Sequence, residues 1–150
     1  MTYNISARGV LEKGSEILFI EYEDSIGKYY SLPGGTQDIG ESLANAVVRE
    51  FREETLLDVT INELIMVREF ILKESEIKTW EAGIHQVEAI FLCSLTDENQ
   101  EYGIGLVPDG GMLGLKWIDK KDFKNFRLYP THDLPEILEK KNVSYLFTNS

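Results

Sequence analysis

Two kinds of apolar pattern alternate along the chain. Residues 3–10 and 16–22 carry short apolar runs bounded by polar turns. Ile17, Leu18, Phe19 and Ile20 are consecutive, as in a strand buried on both faces. Glu23 to Lys28 is a polar turn. Tyr29 to Leu32 reads as a short extended piece ending at Pro33-Gly34-Gly35, a strong turn signal. From 41 to 55 the period becomes helical: at about 100° per residue, Ala44, Val47, Val48, Phe51 and Thr55 fall on one stripe. Residues 64–72 (LIMVREFIL) and 84–95 return to strand-like runs. Residues 96–112 form a polar loop with four glycines and Pro108, and Leu113 to Ile118 is a further short strand. Residues 131–141 read as a helix with Pro135 near the first turn, where a missing N–H is tolerated. Strands before and after a central helix, with a second helix near the end, predict a mixed α/β sandwich.

Composition narrows this picture. A length of 150 residues suits one domain, 1–150, with one core. Hydrophobic residues make up 43% and aromatic residues 11%, as in a globular protein and not a disordered one. No apolar run approaches the roughly 20 residues needed to span a bilayer. MTYNISARG lacks the basic stretch and apolar run of a signal peptide. Cys93 is the only cysteine, so no intrachain disulfide can form, which fits a reducing cytoplasm. A formal net charge of −11 argues against non-specific nucleic-acid binding and against an anionic membrane surface. It leaves room for a small phosphorylated ligand, because bound divalent cations reverse the local field.

The central helix carries the chemistry. Residues 49 to 54 read R-E-F-R-E-E. Glu50, Glu53 and Glu54 share an arc about 100° wide, and their i, i+3 and i+4 spacing makes them neighbours. Arg49 lies beside Glu53 and neutralises only part of that charge. A solvated acidic face is the usual fate of such a run. The sharper reading is a cation site, because Mg²⁺ and Mn²⁺ are hard ions held by a few carboxylates plus substrate phosphates.

The residues upstream decide between the two. Gly35 is followed after five residues by Glu41, and after seven more by Arg49-Glu50, then Phe51, Glu53-Glu54 and Leu57. Leu32-Pro33-Gly34 leads into the run. This pattern resembles the signature of the Nudix hydrolase family, with six charged or glycine positions at fixed spacing over 23 residues. One position departs from it: Leu56 stands where the family has Gly. Phe51 is bulkier than the usual aliphatic residue, and Asp38 stands where many members have Glu.

The resemblance implies an α/β/α domain whose loop–helix–loop box lies against a mixed sheet. It also implies hydrolysis of a pyrophosphate bond in a nucleoside diphosphate linked to another group, with Mg²⁺ or Mn²⁺. Carried over by position, Glu50, Glu53 and Glu54 hold the metals, with the Gly35 backbone carbonyl as a further ligand. Arg49 orients the box through ion pairs with Glu50 or Glu41. Gly34 and Gly35 let the backbone approach metal and phosphates, as only Gly can without steric cost. Glu53 is the first choice of general base and Glu88 the second. The resemblance also allows a homodimer.

Outside the box the signals are thinner. Gln86, Glu88, Ile90 and Leu92 share one strand face, where a glutamate is costly unless paired or metal-bound. The other reading of Glu88 is a solvated strand end. Glu98 and Glu101 are loop alternatives for the base. Arg8 and Arg68 are candidate phosphate contacts. Tyr29, Tyr30, Phe70, Trp80 and Tyr102 could form a slot for a base, and loop 96–112 could close over a ligand. His85 and His132 are isolated, so neither supports a zinc site. Two rivals on the same fold stay open. One is a nucleotide-metabolite sensing module without hydrolysis. The other is a prenyl diphosphate isomerase, for which Cys93 on a buried strand is a poor candidate.

Overall fold

A computed structural model gives the architecture of the chain and describes residues 1–73, 83–101, 103 and 111–149. Its first strand organises the rest. β1 (Thr2–Lys13) turns back into β2 (Glu16–Glu23), and is long enough to serve two sheets. On one side β1 runs parallel to β6 (Ile84–Leu95), which pairs antiparallel with β5 (Val59–Leu72). The edge strand β9 (Ser144–Asn149) then lies parallel to β5. On the other side β2 pairs with β3 (Lys28–Ser31) and β7 (Met112–Asp119), and β3 carries the two-residue β8 (Leu128–Tyr129). β4 (Gly34–Thr36) pairs antiparallel with β1.

Two helices cover this mixed sheet, in agreement with the expected sandwich. α1 (Leu43–Thr55) packs Ala46, Val47 and Phe51 against Ala7, Leu11 and Leu18. A 3₁₀ segment (Lys120–Asn125) and α2 (Leu134–Glu139) bring Phe123, Leu134 and Ile137 to a second cluster with Val10, Phe19 and Ile90. α1 starts two residues later than its period suggests, because the Ser42 hydroxyl caps the helix by accepting from the Asn45 amide at 3.1 Å. No helix among the described residues is long and apolar enough to cross a membrane.

Several stretches differ from the pattern reading; the helix expected over 131–141, for one, spans only Leu134–Glu139. Pro33-Gly34-Gly35 marks a turn in sequence, yet Gly34 and Gly35 begin β4. A Cβ on Gly34, at φ 150°, would meet the Ala7 carbonyl oxygen at 2.2 Å, so the pairing with β1 requires glycine there. β5 begins at Val59, five residues before the expected start, because bulges between Ile61 and Glu63 and between Leu64 and Met66 break its alternation. β9 has no counterpart in the sequence reading. It is a half-exposed edge strand whose partner lies far away in sequence.

The end of α1 answers the Leu56 question. Leu56 adopts the left-handed conformation at φ 64° and its amide donates to the Arg52 carbonyl. The turn is thus built as a glycine would build it, at a cost of roughly 1–2 kcal/mol for an L side chain. Leu56→Gly is expected to raise stability by about 1 kcal/mol, after the extra freedom of glycine in the unfolded chain is counted. Urea denaturation of the two proteins measures the difference, and a destabilised variant would show that the Leu56 side chain earns its place by packing.

Candidate active site

The thin strand β4 separates two groups of charged residues. Directly opposed residues of an antiparallel pair point to the same face. Gly35 lies opposite Ala7, on the side of α1, while Gly34 lies opposite Arg8. From α1, Glu54 reaches the chain at Gly34, whose amide donates to Glu54 Oε1 at 2.9 Å. A Cβ on Gly35 would sit 2.6 Å from Glu50 Oε1, so that glycine makes room for the carboxylate. Both glycines are thus required by close packing, Gly34 against β1 and Gly35 against Glu50.

The three glutamates are not equivalent. Glu54 is buried, and the side chain of Glu50 is 13% exposed and that of Glu53 44%. Burial of Glu54 and Ala46 means that the core face of α1 is rotated from the expected stripe, leaving Ala44 and Val48 at its margin. Arg49 joins the rest. It donates to both Glu41 oxygens at 2.7 and 3.1 Å, to Glu50 Oε1 at 3.1 Å, to Glu53 Oε2 at 3.2 Å and to the Thr36 carbonyl at 3.1 Å. The Glu41 bonds, with the charge of Glu50, raise the Arg49 pKa above its usual value despite partial burial. Arg49 in turn holds the Glu41 carboxyl below its usual range.

On the other side of β4 the strand register assembles a second group. Arg68 lies directly opposite Glu88 on β5 and β6, and Ser6 on β1 is opposite Glu88 in the parallel pair, with Arg8 two residues along. Glu88 is 2% exposed. It accepts from Arg8 Nε at 2.9 Å, Arg68 at 3.0 Å and Gln86 at 3.0 Å. Burial alone would push its pKa up, but the two arginines outweigh that and hold the carboxyl below the usual range. Burial likewise opposes the Arg8 charge, and Glu88 more than compensates it. Glu88 is therefore not at a solvated strand end. Among the described residues its partners are these three and not the carboxylates of α1.

The two groups open into one groove. A cavity of about 610 Å³ is lined by Gly35, Glu50, Arg49 and Arg8, and an adjoining one of about 410 Å³ by Arg8, Arg68, Glu88 and Phe70. Tyr29, Ser31 and Gln86 border both. Of the predicted site residues, Gly34, Gly35, Arg8, Arg49 and Glu50 line the first cavity and Arg8, Arg68 and Glu88 the second, while Glu53 and Glu54 line neither and connect to the first through Arg49 and the Gly34 amide. Gln86 and Ser6 were missed. Their signal is strand parity, since both share the face of Arg8 and Glu88. Trp80 and Tyr102 lie outside the described residues, as do residues 104–110 of the loop expected to close. Tyr30 is core.

Other candidates fall away on contacts. Glu98 lines a separate cavity with Trp117, and no site contact is shown for the exposed Glu101. His85 bonds Glu69 and His132 bonds the Phe126 carbonyl. Cys93 is buried, which pushes its thiol up to about 12 and leaves it no nucleophile. As the side chains stand, no three His, Cys, Asp or Glu among the described residues converge to hold an ion. The donor set still fits a hard cation: carboxylate oxygens at graded depth, beside a glycine that keeps the Glu50 oxygens close to the backbone.

The NUDIX domain model matches residues 2–140. The chain belongs to the NUDIX family. An ADP-ribose pyrophosphatase of Methanocaldococcus jannaschii is 38% identical over 64 residues, which is 42% of this chain and 38% of that protein. The chain therefore matches well under half the length of that curated relative. A NUDIX hydrolase of Nitrosomonas europaea superposes over 100% of this chain and 80% of its own, with a TM-score of 0.69 and 17% identity. An ADP-ribose pyrophosphatase of Streptococcus suis does so over 97% and 99%, with a TM-score of 0.63 and 19% identity. At such identities these NUDIX structures share the fold.

Proposed function

We propose that the protein is a metal-dependent pyrophosphohydrolase acting on a nucleoside diphosphate linked to a further group. The observation that carries this reading is the groove itself: Gly35 and Glu50 on one wall, and the Arg8–Glu88–Arg68 group on the next. Glu50, Glu53 and Glu54, with the Gly35 carbonyl, would hold Mg²⁺ or Mn²⁺. The ion would neutralise phosphate oxygens and lower the pKa of a bound water. Arg49 fixes Glu50 and Glu53 by hydrogen bonds, and so sets where their remaining oxygens point. Glu53, the most exposed of the three, is the base that takes a proton from the attacking water. Arg8 and Arg68 receive the diphosphate, and Gly34 lets it lie close to the backbone. Glu88 serves by aiming those two guanidinium groups. A single buried thiol suits a cytoplasmic location.

The relative named for ADP-ribose puts that compound first on the list to test. Product release is measured from ADP-ribose, nucleotide sugars, nucleoside triphosphates and dinucleoside polyphosphates, with Mg²⁺, with Mn²⁺ and with EDTA. We expect turnover of at least one member with either ion and none in EDTA. Cation-dependent binding without turnover on any of them would make the protein a sensor.

A further inference from the structure

We infer that the compartment beyond Arg8, bounded by Tyr29, Arg127, Tyr129, Arg68 and Phe70, is a nucleobase subsite selective for purines. The inference rests on the hydrolase reading only for the place of the diphosphate, which crosses from the α1 carboxylates over Arg8.

The compartment has about 410 Å³ and is continuous with the carboxylate cavity through Arg8, Tyr29, Ser31 and Gln86. Its walls are arginine–aromatic stacks. The Arg68 guanidinium lies 4.4 Å from the Phe70 ring centroid, and that of Arg127 lies 4.7 Å from the Tyr29 centroid. Tyr29 is itself stacked with Tyr22 at 5.3 Å and met edge-on by Tyr129 at 5.8 Å. These contacts set an aromatic ring beside each guanidinium group.

What Arg127 can offer a ligand follows from what it has already given away. Its two terminal nitrogens donate to the two oxygens of Asp24. Its Nε is buried with no acceptor among the described residues. Asp24 thus balances the guanidinium charge and takes one N–H from each terminal nitrogen, so an anion gains little there. The side chain is still 29% exposed. What it presents is a flat, delocalised cationic face, which attracts the π-cloud of a planar ring. Leu72 and Pro130 add apolar surface. An extra phosphate would gain little from a guanidinium whose charge Asp24 already balances, whereas a flat base finds a stacking platform. Stacking grows with the area of the ring, so a purine gains more than a pyrimidine. The cavity between Lys13, Leu57 and Trp117 has no such link, because it shares no lining residue with the groove.

Calorimetry with AMP, UMP and inorganic pyrophosphate, in EDTA, tests the subsite without turnover. AMP is expected to bind about tenfold more tightly than UMP. Arg127→Leu and, separately, Tyr129→Leu are expected to bring that ratio towards one, while pyrophosphate affinity stays within twofold and so reports an intact groove. Equal affinities for AMP and UMP in the parent protein, or a ratio unmoved in both variants, would overturn the assignment. Hydrolysis of ADP-glucose and UDP-glucose with Mg²⁺ separates the two readings. Turnover without purine preference removes the subsite alone. Purine-selective AMP binding, lost in the variants, with no hydrolysis of any substrate removes the hydrolase reading alone.

Discussion

Glu53→Gln is expected to lower kcat by about a thousandfold or more, the scale of a lost general base, and to leave the fold unchanged. The two halves of this expectation have separate physical causes. Glu53 is 44% exposed, and its described hydrogen bond is an i, i+4 pair with Arg49 at 3.2 Å. Exposed pairs of this kind contribute less than about 1 kcal/mol. The amide keeps the size and an acceptor oxygen, so α1 loses little. Under the proposed mechanism the chemistry would lose the group that takes the proton from water, and the proposed metal cradle would lose one negative charge. Glu54→Gln would confound these effects, because Glu54 is buried and accepts from the Gly34 amide at 2.9 Å. Kinetics with the best substrate and urea denaturation of Glu53→Gln give the two numbers. A rate within tenfold of the parent would move the base elsewhere in the groove.

The contrast between Glu53 and Glu54 also shows what the sequence can and cannot reveal. Helical spacing placed Glu50, Glu53 and Glu54 on one arc and made Arg49 their neighbour, since both facts depend only on local geometry. Their different depths depend on how α1 rolls against β1 and β4, which no local pattern records. The strands were legible where apolar residues dominate the run, as in Ile17–Ile20 and 84–95. They were illegible where the pairing partner supplies the reason for the strand. Gly34–Thr36 looks like a turn until Ala7 and Arg8 are set beside it. Ser144–Asn149 is too exposed to show a period. The pairing of Arg8, Arg68 and Glu88 is an intermediate case. All three lie on strand-like runs, yet the register that sets Arg68 opposite Glu88 joins segments twenty residues apart, and that of Ser6 with Glu88 joins segments far more distant. A glutamate on an apolar strand face called for a partner or a metal unless it lay at a solvated strand end, and the fold supplies Arg8, Arg68 and Gln86.

That pairing makes Glu88 the position with the largest expected effect on stability. Glu88→Ala leaves the Arg8 and Arg68 guanidinium groups, about one-fifth exposed, facing each other without their shared carboxylate. Removing one partner of a buried ion pair costs about 3–5 kcal/mol, and the partial exposure of the arginines places this case near the lower figure. Glu88→Gln keeps an acceptor and should cost less, while still losing the charge. The pH dependence follows from the depressed pKa of Glu88. A carboxyl that binds its proton more weakly in the folded chain than in the unfolded one adds stability above the unfolded pKa, near about 4.3 for Glu. That contribution disappears as pH falls through the lower, folded value. The stability gap between the parent and Glu88→Gln should therefore be full at pH 7 and shrink below about pH 4. Urea denaturation of both proteins across this range reads it, and a gap that stays constant would mean that the charge of Glu88 contributes nothing. Kinetics of the same variant separate aiming from proton transfer. If Glu88 aims Arg8 and Arg68 at the diphosphate, Glu88→Gln raises KM more than it lowers kcat. If Glu88 is the base, kcat falls as far as it does in Glu53→Gln.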